Sequence, residues 1–240
     1  MIFKRYRTDY TGEYLIYNVS LTDGSYEEHR EWIPNNIDNN SHYGTAVVLG
    51  NGTGRNSVAL NKIKNHRTGI GGVNRMQSYG CNALHRDFAP DFLITTNTKI
   101  IEEINEKQIS DNTMILTSGI NMLHYPGKFH MLPYSISMNT GALATYMACF
   151  DGHKKVYLLG FDNQTGERNN NVYANTPNYD SEEIKVSSGK WELSMLQVFR
   201  TFPEVTFTRV EPRGENPKYW KSCLNYRTVT ARQFALEVDL

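Results

Sequence analysis

From residue 45 onward the chain alternates short apolar runs with longer stretches in which apolar positions recur at helical spacing. Thr45-Ala46-Val47-Val48-Leu49 is apolar without alternation, the pattern of a strand buried on both faces of a parallel sheet. Comparable runs fall at 68–73, 88–95, 114–116, 156–160 and 205–210, and helix-length segments lie at 97–107, 141–152 and 190–202. This order predicts an α/β fold, a Rossmann-like doubly wound, mostly parallel sheet. Residues 1–43 read differently. A β-prone stretch at 13–21, the turn Asp23-Gly24 and a return at 25–32 predict an N-terminal β-hairpin extension. Pro34 and the polar run 35–41 then predict a linker, giving an extension over 1–43 and a nucleotide-binding domain over 44–240.

Composition narrows the function classes. A chain of 240 residues is long enough for one α/β core that buries roughly 70–75% of its unfolded surface. Lys plus Arg and Asp plus Glu number 25 each, so no long-range field draws the chain to nucleic acid or an anionic membrane, and an anion must be captured locally. The first residues carry charge but no apolar leader, and no run approaches the ~20 residues of a membrane span. A soluble, cytoplasmic protein is expected. Cys81, Cys149 and Cys223 are odd in number and lack C-x-x-C spacing, which predicts buried thiols and neither a disulfide framework nor a zinc site.

In a doubly wound sheet, ligands bind beyond the carboxyl ends of the strands, so strand ends become site candidates. Gly50-Asn51-Gly52-Thr53-Gly54 follows the first core strand. Its glycines can bring backbone N–H groups to a phosphate at a helix N-terminus, or simply make a tight turn. Arg55 excludes the dinucleotide fingerprint, and the absence of Gly-Lys-Ser/Thr excludes Walker A. Asn74 and Asn97 are placed at the ends of the second and third strands, where their amides can read a base or ribose. Asn139 and Thr140 precede a helix of small and apolar residues that starts near Gly141, and either one can cap it or grip a ligand. The stretch 163–189 is a long polar loop within the domain and is read as a substrate-ordered lid. Arg209, Arg213, Lys218 and Lys221 form a basic C-terminal stretch that can clamp phosphate or lie in solvent.

Taken in order, Gly50-Asn51-Gly52, Asn74, Asn97, Lys128-Phe129-His130, Asn139-Thr140-Gly141 and the run from Val156 to Asp162 resemble the bacterial lipooligosaccharide sialyltransferases and the wider Rossmann-like set that shares their Gly-Asn-Gly turn. The resemblance covers residues 45 to about 210. It implies a metal-independent, inverting transfer from a cytidine-type nucleotide-sugar to a glycan or other hydroxyl acceptor, with no cofactor. It places Asn51, Gly52, Asn74, Asn97, Asn139, Thr140 and Gly141 around the nucleotide, and Gly50 and Thr53 belong to the same turn. Two departures stand out. The family's turn continues Pro-Ser where this chain has Thr53-Gly54, and its catalytic His follows the strand that ends here in Gly160-Phe161-Asp162, whereas no His follows His153. Asp162, Tyr173 and Tyr179 are the candidates left for catalysis. Two other functions stay open: a non-catalytic nucleotide-binding or assembly module, and a pterin diphosphokinase-like phosphotransferase. The hairpin is a candidate surface for homo-oligomerisation.

Overall fold

The computed structural model describes residues 12–34, 44–67, 76–107, 109, 113–132, 137–162, 170–179, 188–212 and 214–240. Its first element is a hairpin, β1 (Gly12–Ser20) paired antiparallel with β2 (Tyr26–Pro34). Gly24 N–H donates to the Leu21 carbonyl and Gly24 sits at φ 83°, so a tight turn followed by a left-handed glycine closes the hairpin. The Asp23 carboxylate holds the turn by accepting from the Ser25 N–H and hydroxyl.

The core strands are β3 (Thr45–Leu49), β4 (Gln77–Cys81), β5 (Phe92–Ile94), β6 (Met114–Thr117), β7 (His130–Met131), β8 (Lys155–Leu159), β9 (Thr206–Val210) and β10 (Tyr226–Val229). They form one parallel sheet in the order β10-β9-β8-β3-β4-β5-β6-β7. The helices are α1 (Leu60–Arg67), α2 (Thr98–Lys107), α3 (Gly119–His124), α4 (Thr140–Phe150), α5 (Ser188–Thr201) and α6 (Ala231–Glu237). Successive strands from β3 step outward to β7, and β8 then returns to the opposite side of β3. The topological switch therefore lies between β3 and β8, which is where a doubly wound sheet opens its ligand crevice.

Both faces of the sheet are covered, and period two assigns the side chains. Ala46 and Val48 join Val156 and Leu158 against α4 and α5. Val47 and Leu49 join Tyr157 and Leu159 against Ile63 of α1, Ile100, Ile101 and Ile104 of α2, and Phe234 of α6. Residues Ala142 to Phe150 of α4 are all buried, as expected for a helix apolar on every side.

Two sequence expectations change, and two others fall outside the described residues. The expected second strand at 68–73 and Asn74 lie outside the described residues, and the next strand along the chain, paired with β3, is β4, which ends at Cys81 just before Asn82. The expected strand over 88–95 shortens to Phe92–Ile94, because Pro90 lacks an N–H to offer a ladder. The end of the expected lid belongs to α5, which starts at Ser188. The expected linker, from residue 35 to 43, lies outside the described residues.

Candidate functional site

The tips of β3 and β8 meet so closely that only glycine fits. A Cβ at Gly50 would lie 2.5 Å from the Gly160 carbonyl oxygen, and one at Gly52 would collide with Asp162 Oδ2. Gly160 sits at φ 72°, and a Cβ there would lie 2.9 Å from the carbonyl oxygens of both Gly50 and Gly52. The glycines thus bring two backbones together across the switch point.

Four backbone donors of that turn are already engaged. Gly50 N–H donates to Leu159 O at 2.8 Å and Gly52 N–H to Gly160 O at 2.9 Å. Thr53 donates through both its N–H and its hydroxyl to Asn170 Oδ1. Gly54 N–H donates to Asp162 Oδ2 at 2.7 Å. Asp162 therefore places a carboxylate at the start of the 3-10 turn Thr53–Ser57, where an external anion would otherwise sit.

Free donors stand instead at α4. Asn139 caps that helix, its Oδ1 accepting from Ala142 N–H at 3.0 Å while its Nδ2 donates to the Trp191 carbonyl. The first N–H groups of a helix lack intrahelical partners. The cap leaves those of Thr140 and Gly141, together with the Thr140 hydroxyl, without a bond among the described residues. This end of α4 abuts the β8 tip, since a Cβ at Gly141 would lie 3.3 Å from the Phe161 ring. Asn139, Thr140, Gly141, Gly50, Gly52 and Asp162 are thereby gathered on one side of the switch point. Asn97 is two strands away from β3 at the β5 tip, exposed, with its Oδ1 accepting from Lys99 N–H at the start of α2.

Residues 170–179 lie across the β3 and β4 tips. Val172 N–H donates to Asn51 O at 2.8 Å, and Asn51 Nδ2 donates to the Tyr179 hydroxyl at 3.3 Å. Burial raises the Tyr179 phenol to about 12. Tyr173 is buried, and its hydroxyl donates to Asp87 Oδ2 at 2.8 Å while accepting from Arg55 Nη2 at 2.9 Å. Its phenol is also pushed up by burial. Both tyrosines are thus neutral near physiological pH, donors rather than bases. Arg86 fastens the segment: its guanidinium donates to Thr176 Oγ1 at 2.7 Å and to Pro177 O at 2.8 Å, and lies over the rings of Tyr173 and Tyr179. Glu103 of α2 holds Arg86 in turn, and Arg86 keeps the Glu103 carboxyl well below the usual range.

Several residues with clear roles here escape a sequence reading. Arg55 is fully buried, bonds Asp87, Tyr173 and the Gly50 carbonyl, and keeps its Nε without a partner among the described residues. Asn82, at the β4 tip, holds a left-handed φ of 51° and accepts from the Thr95 hydroxyl. An Asn directly after a strand is the signal for such a position, and the polar sequence of β4 hid that strand. Arg209 belongs to the core: its Nε donates to Phe161 O and its guanidinium lies over Trp220. Lys218 and Lys221 are exposed, and Arg213 lies outside the described residues. A cavity of about 560 Å³ opens away from the switch point, between α2 and residues 176–178. Among the described residues no helix is long and apolar enough to cross a membrane.

No protein-family model matches the chain, and no curated protein sequence matches it. Among solved structures, the chain is similar to the sialyltransferase CstII from Campylobacter jejuni in complex with a substrate analogue, CMP-3FNeuAc. The identity is 11% and the TM-score 0.43, over 69% of this chain and 79% of that one. It is also similar to a single-substitution variant of the sialyltransferase Cst-II in complex with CMP, at 12% identity and TM-score 0.42, over 68% of this chain and 80% of the other.

Proposed function

We propose that this chain binds a nucleotide or nucleotide-sugar at the β3/β8 switch point and acts as a glycosyltransferase-like protein. The observation that carries the reading is the first turn of α4, where two unengaged N–H groups and the Thr140 hydroxyl stand beside the tip of β8. An N-terminal helix turn favours a phosphate through its donors and its dipole together. Asn51 and Asn82 add amides at the neighbouring strand tips, suited to a ribose or base. The order of motifs that resembles the lipooligosaccharide sialyltransferases supports a cytidine-type donor and a metal-independent, inverting transfer. In such a transfer a base removes the acceptor hydroxyl proton while donors stabilise the departing phosphate. Neutral Tyr173 and Tyr179 suit the second task, and Asp162 is the carboxylate closest to the glycine turn.

A second reading, a nucleotide-binding module without catalysis, is favoured by one observation. All three catalytic candidates already serve the fold: Asp162 holds Gly54, Tyr173 is shared between Arg55 and Asp87, and Tyr179 accepts from Asn51.

Calorimetric titration with cytidine, uridine, guanosine and adenosine nucleotides, with and without magnesium, separates the readings. Metal-free cytidine binding is expected, and Asn51→Ala and Thr140→Ala each weaken it by ~1–3 kcal/mol while leaving the melting transition in place. Donor-sugar hydrolysis or transfer distinguishes an enzyme from a module. Unchanged affinity in both variants overturns the site, and binding that needs adenosine triphosphate with magnesium points to a phosphotransferase.

A further inference from the structure

Apolar exposure is concentrated at one corner of the molecule. Tyr14, Ile16, Val19, Leu21, Tyr26 and Trp32 of the hairpin are all exposed, with Tyr14 at 59%, Ile16 at 54% and Trp32 at 45%. Ile120 and Leu123 of α3 are exposed as well, and α3 lies against the hairpin: a Cβ at Gly119 would collide with Leu15 Cδ1. A nine-residue ladder of only two strands is marginal in water and gains stability from a third.

The hydrogen-bond phase identifies the groups left over. Leu21 N–H donates to Ser25 O, so that pair is of the hydrogen-bonded kind. Alternation along the ladder then turns Val19, Tyr17 and Leu15 toward β2, and turns the N–H and C=O groups of Ser20, Asn18, Ile16 and Tyr14 outward. Among the described residues no strand pairs with that outer edge.

Charge distinguishes the two edges. β2 carries Glu27, Glu28, His29, Arg30 and Glu31 in succession, the kind of charged sequence that discourages edge pairing. β1 carries no charge from Tyr14 to Ser20. An antiparallel pairing of β1 with its own copy about Tyr17 sets Ile16 against Asn18, Leu15 against Val19 and Tyr14 against Ser20, with no like charges opposed. The same operation on β2 about His29 sets Glu27 against Glu31, which is repulsive.

We propose that the outer edge of β1 pairs antiparallel with β1 of a second copy of this chain, making a continuous four-stranded sheet across a two-fold axis. Such an interface is self-complementary and closes at two copies. The hairpin is thereby a dimerisation arm, independent of whether the switch point binds a nucleotide.

The test uses two prolines at positions that face each other across the hairpin, Asn18 and Glu28. Each points its N–H outward, so proline at either removes one edge donor and no ladder bond inside the hairpin. Sedimentation of the full chain over a wide concentration range is expected to show a dimer. Asn18→Pro converts it to a monomer, whereas Glu28→Pro leaves it dimeric. Ile16→Lys, which places a charge on the proposed seam, also yields a monomer. A chain that sediments as a monomer throughout, a dimer that survives both Asn18→Pro and Ile16→Lys, or equal loss with both prolines overturns the proposal. Removal of residues 1–11 is expected to leave the dimer intact. A dimer that depends on them assigns the contact to that segment and overturns it equally.

Discussion

Gly160 illustrates how a single residue sets the geometry of the candidate site. Its left-handed φ of 72° and its approach to two carbonyl oxygens, 2.9 Å from where a Cβ would stand, are both denied to a side chain. Gly160→Ala is expected to cost about 1–3 kcal/mol from backbone conformation alone, with further loss from displaced neighbours, measured by chemical denaturation. Gly24→Ala provides the contrast, since its φ is also left-handed but no atom lies within 4 Å of the place its new methyl group would take. The loss there is expected to be confined to the conformational part. Sequence reading located the glycines of the first turn and left their freedom open between a ligand and a tight turn. The structure uses it for contact between two strand tips, a distinction that depends on residues over a hundred positions apart.

At the scale of elements, Glu103 ties α2 to the segment 170–179. It accepts from Arg86, Lys107 and His85, and Arg86 in turn grips Thr176 and Pro177. A carboxylate whose folded pKa is depressed contributes stability that is present above its unfolded pKa and lost as pH falls toward the folded one. Acid unfolding should therefore show a steep loss from the ordinary glutamate range downward. Glu103→Gln is expected to flatten that limb and to lower stability near neutral pH, as followed by denaturant melts over an acid series. The elements that were legible share a cause: β3 and β8 are nearly continuous apolar runs, and α4 announces itself by its Asn139 cap and small residues. β4 was missed because Gln-Ser-Tyr-Gly-Cys is not apolar. Ser78 is buried there because its N–H and hydroxyl bond Asp91, and Gly80 because Leu84 fills the space a side chain would take. β7 and β10 are short edge strands that add little pattern.

At the scale of the whole molecule, the hairpin and the eight-stranded sheet are separate sheets, joined among the described residues by contacts such as Leu15 against Gly119. Removing residues 1–43 is therefore expected to lower the melting temperature of the remainder by only a few degrees, about 2–4 °C for each kcal/mol of lost contact. Scanning calorimetry checks this, and a collapse of the transition would show that the extension is part of the core. Sequence reading set the extension apart from the sheet because two β-prone stretches about a strong Asp23-Gly24 turn differ from apolar runs that alternate with helix-length segments. The arrangement of the site was less accessible, since Arg55, Asp87 and Arg86 acquire their roles only when β3, β4 and the segment 170–179 are brought together.

The interlocking of the β3 and β8 tips also constrains motion. Two half-sheets whose backbones touch at their junction cannot part like the covers of a book, so a ligand bound there as proposed is not admitted by opening the sheet. Access falls to the segment 170–179 that rests on top, which Arg86 holds through Thr176 and Pro177.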